Sequence, residues 1–308
     1  MPANAKGFGT GRILVTGGQG MLGSDFALEA AAFEGLEVQA PGKLDLDVRD
    51  SAALQARADW VEGGWIIHCA AMVDVEGCAR QPDLARAIIV DGARNAAALA
   101  KATGARLLYP QSFLVYDGAE NPIPERETPR PLSLYGAMKW EAEQVIRETL
   151  DDALVVRMAG FFGGGSRDKN FVGRIIPVIQ AAMLKGAETF EVGDRVWQPT
   201  WTKDLAFNSL CIMQRGTAGV YQMACRGEAT FHEIAHEIVV ALGWNTRIRI
   251  VPVSASAVAQ SELGRRPDRA VLSCERLASE NLNLQRDWRS TLHAYLAHPF
   301  FDKYRLEP

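Results

Sequence analysis

Short aliphatic runs alternate with helical patterns through the first half of the chain. Arg12–Thr16 (RILVT) predicts a strand, and Met21 to about Phe33 predicts an Ala/Leu-rich helix. Leu36–Ala40 predicts a second strand, stopped by Pro41-Gly42. Ser51 to about Asp59 reads as a helix capped by Asp50 or Ser51. Trp65–Cys69 is a strand, and Asp83–Thr103 a long helix closed by Gly104. Arg106–Tyr109 opens another strand, Leu134–Leu150 is helical, and Ala153–Arg157 is the next strand. Such alternation predicts βαβ units and a parallel sheet covered on both faces. After Gly160 the rhythm changes. A Gly163-Gly164-Gly165 loop leads to a helix at Phe171–Lys185, and strands follow at Phe190–Val192 and Val196–Trp197. Lys203–Met213 reads as a helix, Val220–Met223 as a strand, and Phe231–Leu242 as an amphipathic helix ended by Gly243. Beyond the loop Gly264–Asp268, helices are expected at Glu275–Asn281 and Asp287–Ala297.

Composition narrows the function. Over 308 residues the formal charge is −4, with no long Lys/Arg block. That disfavours holding nucleic acid or an anionic membrane through bulk charge. The longest apolar-rich stretch, Ile175–Leu184, falls short of the roughly 18 residues a membrane span needs. The N-terminus, MPANAKGFGTGR, lacks a signal-like apolar core and reads as a loose arm before the first strand. Five cysteines (Cys69, Cys78, Cys211, Cys225, Cys274) include no CxxC, which fits a reducing cytoplasm and thiols serving as small core residues.

The chemistry begins at Thr16-Gly17-Gly18-Gln19-Gly20-Met21-Leu22-Gly23, between the first strand and the first helix. Glycines at 17, 20 and 23 let backbone amides approach a pyrophosphate, and the helix N-terminus adds partial positive charge. The second strand ends in Ala40-Pro41-Gly42-Lys43 rather than in the acid that grips the ribose of NAD. Lys43 could meet a 2′-phosphate instead, which favours NADP(H) over NAD(H). Tyr135 and Lys139 stand at i and i+4, on one face of a helix. An ammonium beside a phenol brings proton transfer closer to neutral pH, and it can also bond a ribose. Ser112 follows the strand ending near Pro110, at the sheet's carboxyl edge, where it could orient a carbonyl. Together these predict a Rossmann-type doubly wound α/β sheet from 11–160 and about 195–225. A smaller, interleaved α/β substrate-binding domain is expected from about 161–194 and 226–308.

The chain resembles the extended short-chain dehydrogenase/reductases, closest to the dTDP-4-dehydrorhamnose reductase group, which includes a methionine adenosyltransferase regulatory subunit. The resemblance runs from Arg12 to about Leu296. TGGQGMLG matches the group's cofactor loop, implying contacts from Gly17, Gly20, Met21, Leu22 and Gly23. LDVRD (Leu46–Asp50) implies Asp47 at the adenine with Val48 beside it. HCAAMV (His68–Val73) implies that Ala70 and Ala71 line the cofactor, as would Met158 further on. PLSLYGAMKWEAE, WQPTWTKDLA and RRPDRAVLSCERL resemble PLNxYGxTKxxGE, GxPTxxxDLA and RRPxxSxLxxxKL, which are specific to the group. The resemblance implies an NAD(P)H-dependent reductase of a nucleotide-diphosphate 4-keto-6-deoxy sugar, with Ser112, Tyr135 and Lys139 catalytic. A homodimer stays open. Substrate contacts are expected from Met72, Phe113, Asn170 and Trp197, and from Arg265 and Arg266, whose guanidinium forks suit a diphosphate.

The departures are informative. STDYVF reads Gln111-Ser112-Phe113-Leu114-Val115-Tyr116, so an aromatic ring stands after the hydroxyl position. Ile89 replaces a helix Asn ahead of Val90-Asp91. These thin the polar partners of a sugar. They keep two alternatives in view: an epimerase or dehydratase of the same fold, and a non-catalytic cofactor-binding subunit. His232-Glu233-Ile234-Ala235-His236 has the HExxH form of a zinc site, but it reads as one edge of an amphipathic helix, so no metal is expected.

Overall fold

The computed structural model describes residues 7–255 and 263–305. Its strands are β1 (Arg12–Thr16), β2 (Glu37–Gln39), β3 (Trp65–His68), β4 (Arg106–Ser112), β5 (Leu154–Met158) and β6 (Phe161–Phe162). They continue as β7 (Thr189–Gly193), β8 (Val196–Trp197), β9 (Thr200–Trp201), β10 (Gly219–Met223), β11 (Ala229–Thr230) and β12 (Arg249–Val253). Six of them form one sheet in the order β10-β5-β4-β3-β1-β2, with every neighbouring pair parallel. The chain reverses its winding at β1, which lies between β2 and β3. A crevice therefore opens at the carboxyl ends of β1 and β3, where α/β sheets take their ligands.

The central strands read as continuous apolar runs because both faces are covered. On one face, Leu14, Ile66, Leu107, Tyr109 and Val155 pack under helices Gly92–Thr103 and Leu134–Thr149. On the other, Ile13, Val15, Ile67, Leu108 and Val156 pack under helices Met21–Ala31 and Thr202–Arg215. Each large aliphatic side chain so buried contributes about 1.5–3 kcal/mol relative to exposure. A third core, from Phe162 to Phe301, gathers helices Phe171–Leu184, Phe231–Ala241 and Trp288–Leu296.

Several expectations change in the structure. Residues 1–6 of the expected arm lie outside the described residues, as do 256–262 and 306–308 of the expected substrate-binding part. The rest of the arm is not loose: Phe8 is fully buried, its ring edge-on to Phe33 at 5.7 Å. The expected Asp83–Thr103 helix starts at Pro82 and is interrupted by a π-helical turn over Ala87–Asp91 before ending at Gly104, φ 64°. β4 continues through Pro110 to Ser112, because a proline still offers its carbonyl. Helix Val75–Arg80 and strand β12 were not expected. The helix is short and holds Gly77, while β12 contains Pro252 and, among the described residues, pairs with β7 alone. All five cysteines are free, and burial pushes the Cys225 and Cys274 thiols up to about 12, as suits packing residues. Among the described residues no helix is long and apolar enough to cross a membrane.

Candidate active site

A cavity of about 1450 Å³ opens over the carboxyl ends of β1, β3, β4 and β5. Its lining includes the expected Gly17, Gly20, Met21, Leu22, Gly23, Lys43, Asp47, Val48, Ala70, Ala71 and Met158. Gly17 carries φ 66°, and a Cβ there would stand 2.9 Å from the Ala70 backbone. Only glycine lets the loop lie so close to β3's exit. Gly20 caps helix Met21–Ala31, whose first turn holds no acid, so its positive end is uncompensated. The residues present therefore fit a dinucleotide: a bare-backbone cradle, a helix N-terminus and basic groups. At the adenine end Asp47 is held by Arg49, Nε to Oδ1 at 2.9 Å, and this pairing keeps its carboxyl below the ordinary range. Arg49 also lines the cavity, and sequence reading missed it although it sits inside LDVRD.

Ser112 ends β4, and its Oγ accepts the Leu114 amide at 3.1 Å. Tyr135 stands one residue into helix Leu134–Thr149, which is N-capped by Ser133. Its phenol faces the Ser112 hydroxyl, which favours the phenolate. Gly136 permits this approach: a Cβ there would come within 2.3 Å of the Leu114 carbonyl oxygen. Lys139 is only 4% exposed; its Nζ donates to the Pro110 carbonyl at 2.8 Å and lies 3.8 Å over the Tyr109 ring. Burial pushes that amine down to about 7. Thus Ser112, Tyr135 and Lys139 do converge in the cavity. The expected electrostatic effect differs, however. Burial raises the Tyr135 phenol, only partly offset by Ser112, and Lys139 is turned to Pro110.

Behind the trio lies a polar network that sequence reading did not find. The Gln111 side chain accepts the Ser112 amide at 2.8 Å and donates to the Lys139 carbonyl at 2.8 Å and to Glu143 at 3.0 Å. Glu143, fully buried, pairs with Arg157 at 2.6 Å, and Arg157 donates to the Tyr116 hydroxyl at 2.7 Å. Gln222 continues the chain, donating to Tyr116 at 3.1 Å and accepting the Ser273 amide at 3.2 Å. Polar residues on helix faces otherwise apolar, as Glu143 is, were the available signal.

His68 adds a pH dependence. Its Nδ1 bonds the Thr16 hydroxyl at 2.9 Å, its Nε2 is buried without a described partner, and burial pushes the ring down to about 3. Between pH 6.5 and about 3 the unfolded chain binds this proton and the folded one does not. Stability therefore falls with acidification across that window, by up to about 1.4 kcal/mol per pH unit. Denaturation of wild type and His68→Asn at stepped pH should show the shallower acid limb in the variant. Equal limbs would refute the assignment.

On the other wall, Phe113, Asn170 and Trp197 line the cavity, with Phe171, Phe231 and Arg174 added by the structure. Two expected contacts move away. The Met72 methyl packs toward Gly77, 2.9 Å from where a Cβ would stand, and Met72 is not part of the lining. Arg265 is exposed outside the cavity. Arg266 lines it but forms a bidentate pair with Glu76 at 2.8 and 2.9 Å. In the HExxH stretch, Glu233 closes a capping box with Thr230, and His232 lies 3.4 Å from the Ile250 carbonyl.

Comparison with known proteins shows the family and the fold. A family model for the RmlD substrate binding domain matches residues 11–300. The chain is 32% identical over 288 residues to a dTDP-4-keto-6-deoxy-D-glucose reductase of Streptomyces niveus, covering 92% of this chain and 96% of that one. Among solved structures it resembles a dTDP-4-dehydrorhamnose reductase of Clostridium acetobutylicum, with a TM-score of 0.85 and 28% identity over 92% of this chain and 98% of that one. A dTDP-4-dehydrorhamnose reductase of Bacillus anthracis, solved with NADP, shares the fold at a TM-score of 0.81 and 24% identity, covering 92% and 98%. By sequence and architecture alike, the chain belongs to the RmlD substrate-binding domain family.

Proposed function

We propose that this protein is an NADP(H)-dependent reductase of a 4-keto-6-deoxy sugar carried on a nucleoside diphosphate. The observation that carries the reading is the convergence of Ser112, Tyr135 and Lys139 with the glycine loop in one cavity. The relatives' names supply the substrate class. When bound, the nicotinamide supplies the hydride to the carbonyl carbon. Ser112, whose oxygen is already anchored by the Leu114 amide, donates to the carbonyl oxygen. Tyr135 gives its proton to that oxygen as charge develops on it; a phenol raised by burial keeps the proton until it is needed. Lys139 holds the ribose and, with Gln111, the spacing between strand and helix. Gly17, Gly20 and the N-terminus of helix Met21–Ala31 take the pyrophosphate. Residues 161–194, 226–255 and 263–305 supply the substrate side, with Asn170, Trp197 and Arg266 around the nucleotide sugar.

The test is NADPH consumption against 4-keto sugars linked to different nucleotides, with one alcohol formed per NADPH. Consumption with none of them would defeat the proposal. NADPH over NADH should depend on Lys43 and Arg49. Replacing Lys43 with Ala should weaken NADPH binding about tenfold, the value of one charge-assisted contact, and leave NADH binding alone, whereas Arg49→Ala, which also releases Asp47, should weaken both and NADPH more. Fluorescence titration of both cofactors checks this, and equal losses for both would place the two cations elsewhere.

A further inference from the structure

We infer that loop 163–170, which follows β6, forms the outer jaw of the cofactor's pyrophosphate site, with the Arg167 guanidinium and the Lys169 amine as ligands to the phosphate oxygens. This rests on the dinucleotide part of the reading above and adds a second element to that site. The glycine loop and the N-terminus of helix Met21–Ala31 supply one side of it through backbone alone. The other side of a bound pyrophosphate meets whatever covers the start of that helix, and loop 163–170 covers it. The Lys169 amide lies 3.4 Å from the Met21 sulfur. Gly164 sits at φ 74°, and the point where its Cβ would stand is 3.3 Å from Met21 Cα and 3.5 Å from Arg167 Cβ. Arg167 is thus carried to the first turn of the helix, and its charge is felt by Asp25 on the next turn.

The loop keeps its shape without engaging these cations. Asp168, between them, is buried and turned inward. Its Oδ1 accepts the Asn170 amide at 3.0 Å, and its Oδ2 accepts the Gly163 amide at 3.1 Å and the Tyr295 hydroxyl at 3.2 Å. Tyr295 in turn accepts the Gly165 amide at 3.1 Å. Arg167 and Lys169 flank that anchor, both exposed and both lining the cavity. Among the described residues neither side chain has a hydrogen-bond or ion-pair partner. Arg49 and Arg266, also at the cavity, are by contrast paired with Asp47 and Glu76. Two unpaired cations opposite a helix N-terminus match a diphosphate, whose oxygens accept from both sides. Two diphosphates have access to the cavity, the cofactor's and that of the nucleotide sugar. The contacts with Met21 give the pair to the cofactor's.

Calorimetric titration of the full chain tests this with NADP+, adenosine 2′-monophosphate and dTDP. Arg167→Ala and Lys169→Ala should each weaken NADP+ binding about tenfold, the scale of one charge-assisted contact. Both should leave adenosine 2′-monophosphate, which has no pyrophosphate, and dTDP, which has the diphosphate of a sugar nucleotide, within about twofold of wild type. Arg167→Lys and Lys169→Arg, which keep the charge, should retain most of the NADP+ affinity. Added salt should weaken NADP+ binding less in the alanine variants than in wild type, because one screened attraction is already gone. Equal losses for NADP+ and adenosine 2′-monophosphate, a loss for dTDP alone, or an unchanged NADP+ affinity each overturn the inference. The reductase reading is judged separately: NADPH that binds normally but is consumed with no keto sugar defeats that reading and leaves this one standing.

Discussion

Tyr135→Phe should lower kcat by about 10²–10⁴-fold, the usual share of a positioned acid, while leaving NADPH binding nearly unchanged. The ring is 8% exposed and packed in the core beneath the cavity, so Phe keeps its volume and only the hydroxyl is lost. That hydroxyl faces Ser112, whose Oγ keeps its contact to the Leu114 amide. The serine therefore stays in place, and the loss should appear in turnover rather than in folding or cofactor affinity. Single-turnover rates with saturating NADPH and a keto sugar measure it directly. Turnover within about threefold of wild type would remove Tyr135 from the proton's path, since a lost acid costs far more.

The second large effect concerns stability. Glu143→Ala should destabilise the fold by about 3–5 kcal/mol, because it leaves the Arg157 guanidinium buried without its anion. Arg157 is 3% exposed and would retain the Tyr116 hydroxyl as a partner. Replacing both members with Met, Glu143→Met with Arg157→Met, should recover much of the loss, since no charge then remains to be desolvated. Urea denaturation of the single and double variants separates these outcomes. Additive losses would mean that the pair is not energetically coupled. Because Gln111 joins Glu143 to the Ser112 amide, the double variant should still lower kcat more than it raises KM.

Most of the scaffold was legible because local patterns and tertiary demands agree there. The apolar runs of β1, β3 and β5 need burial on both faces, and the sheet provides it. The glycine loop and the Tyr135/Lys139 spacing are read from local geometry, so their convergence with Ser112 follows once the strand order is known. Contacts distant in sequence were less legible. Arg266 looked like a free diphosphate clamp because Glu76, 190 residues earlier, has no local sign of being its partner. Arg174 and Phe231 lie in segments whose side of the cavity only the fold decides. The direction of the Tyr135 shift was missed for the same reason: helical spacing places Lys139 nearby, but desolvation and the Pro110 carbonyl determine what its amine does.

The cations around the cavity stand out against an acidic molecule. Lys43, Arg167, Lys169 and Arg174 border the opening of a chain whose formal charge is −4, while Arg49 there is balanced by Asp47. Low-dielectric walls focus such a field inward. Small multivalent anions are thus drawn to the mouth and arrive faster than random encounter allows, whereas long polyanions meet repulsion from the remaining surface. Capture speed and discrimination by size come from the same uneven placement of charge.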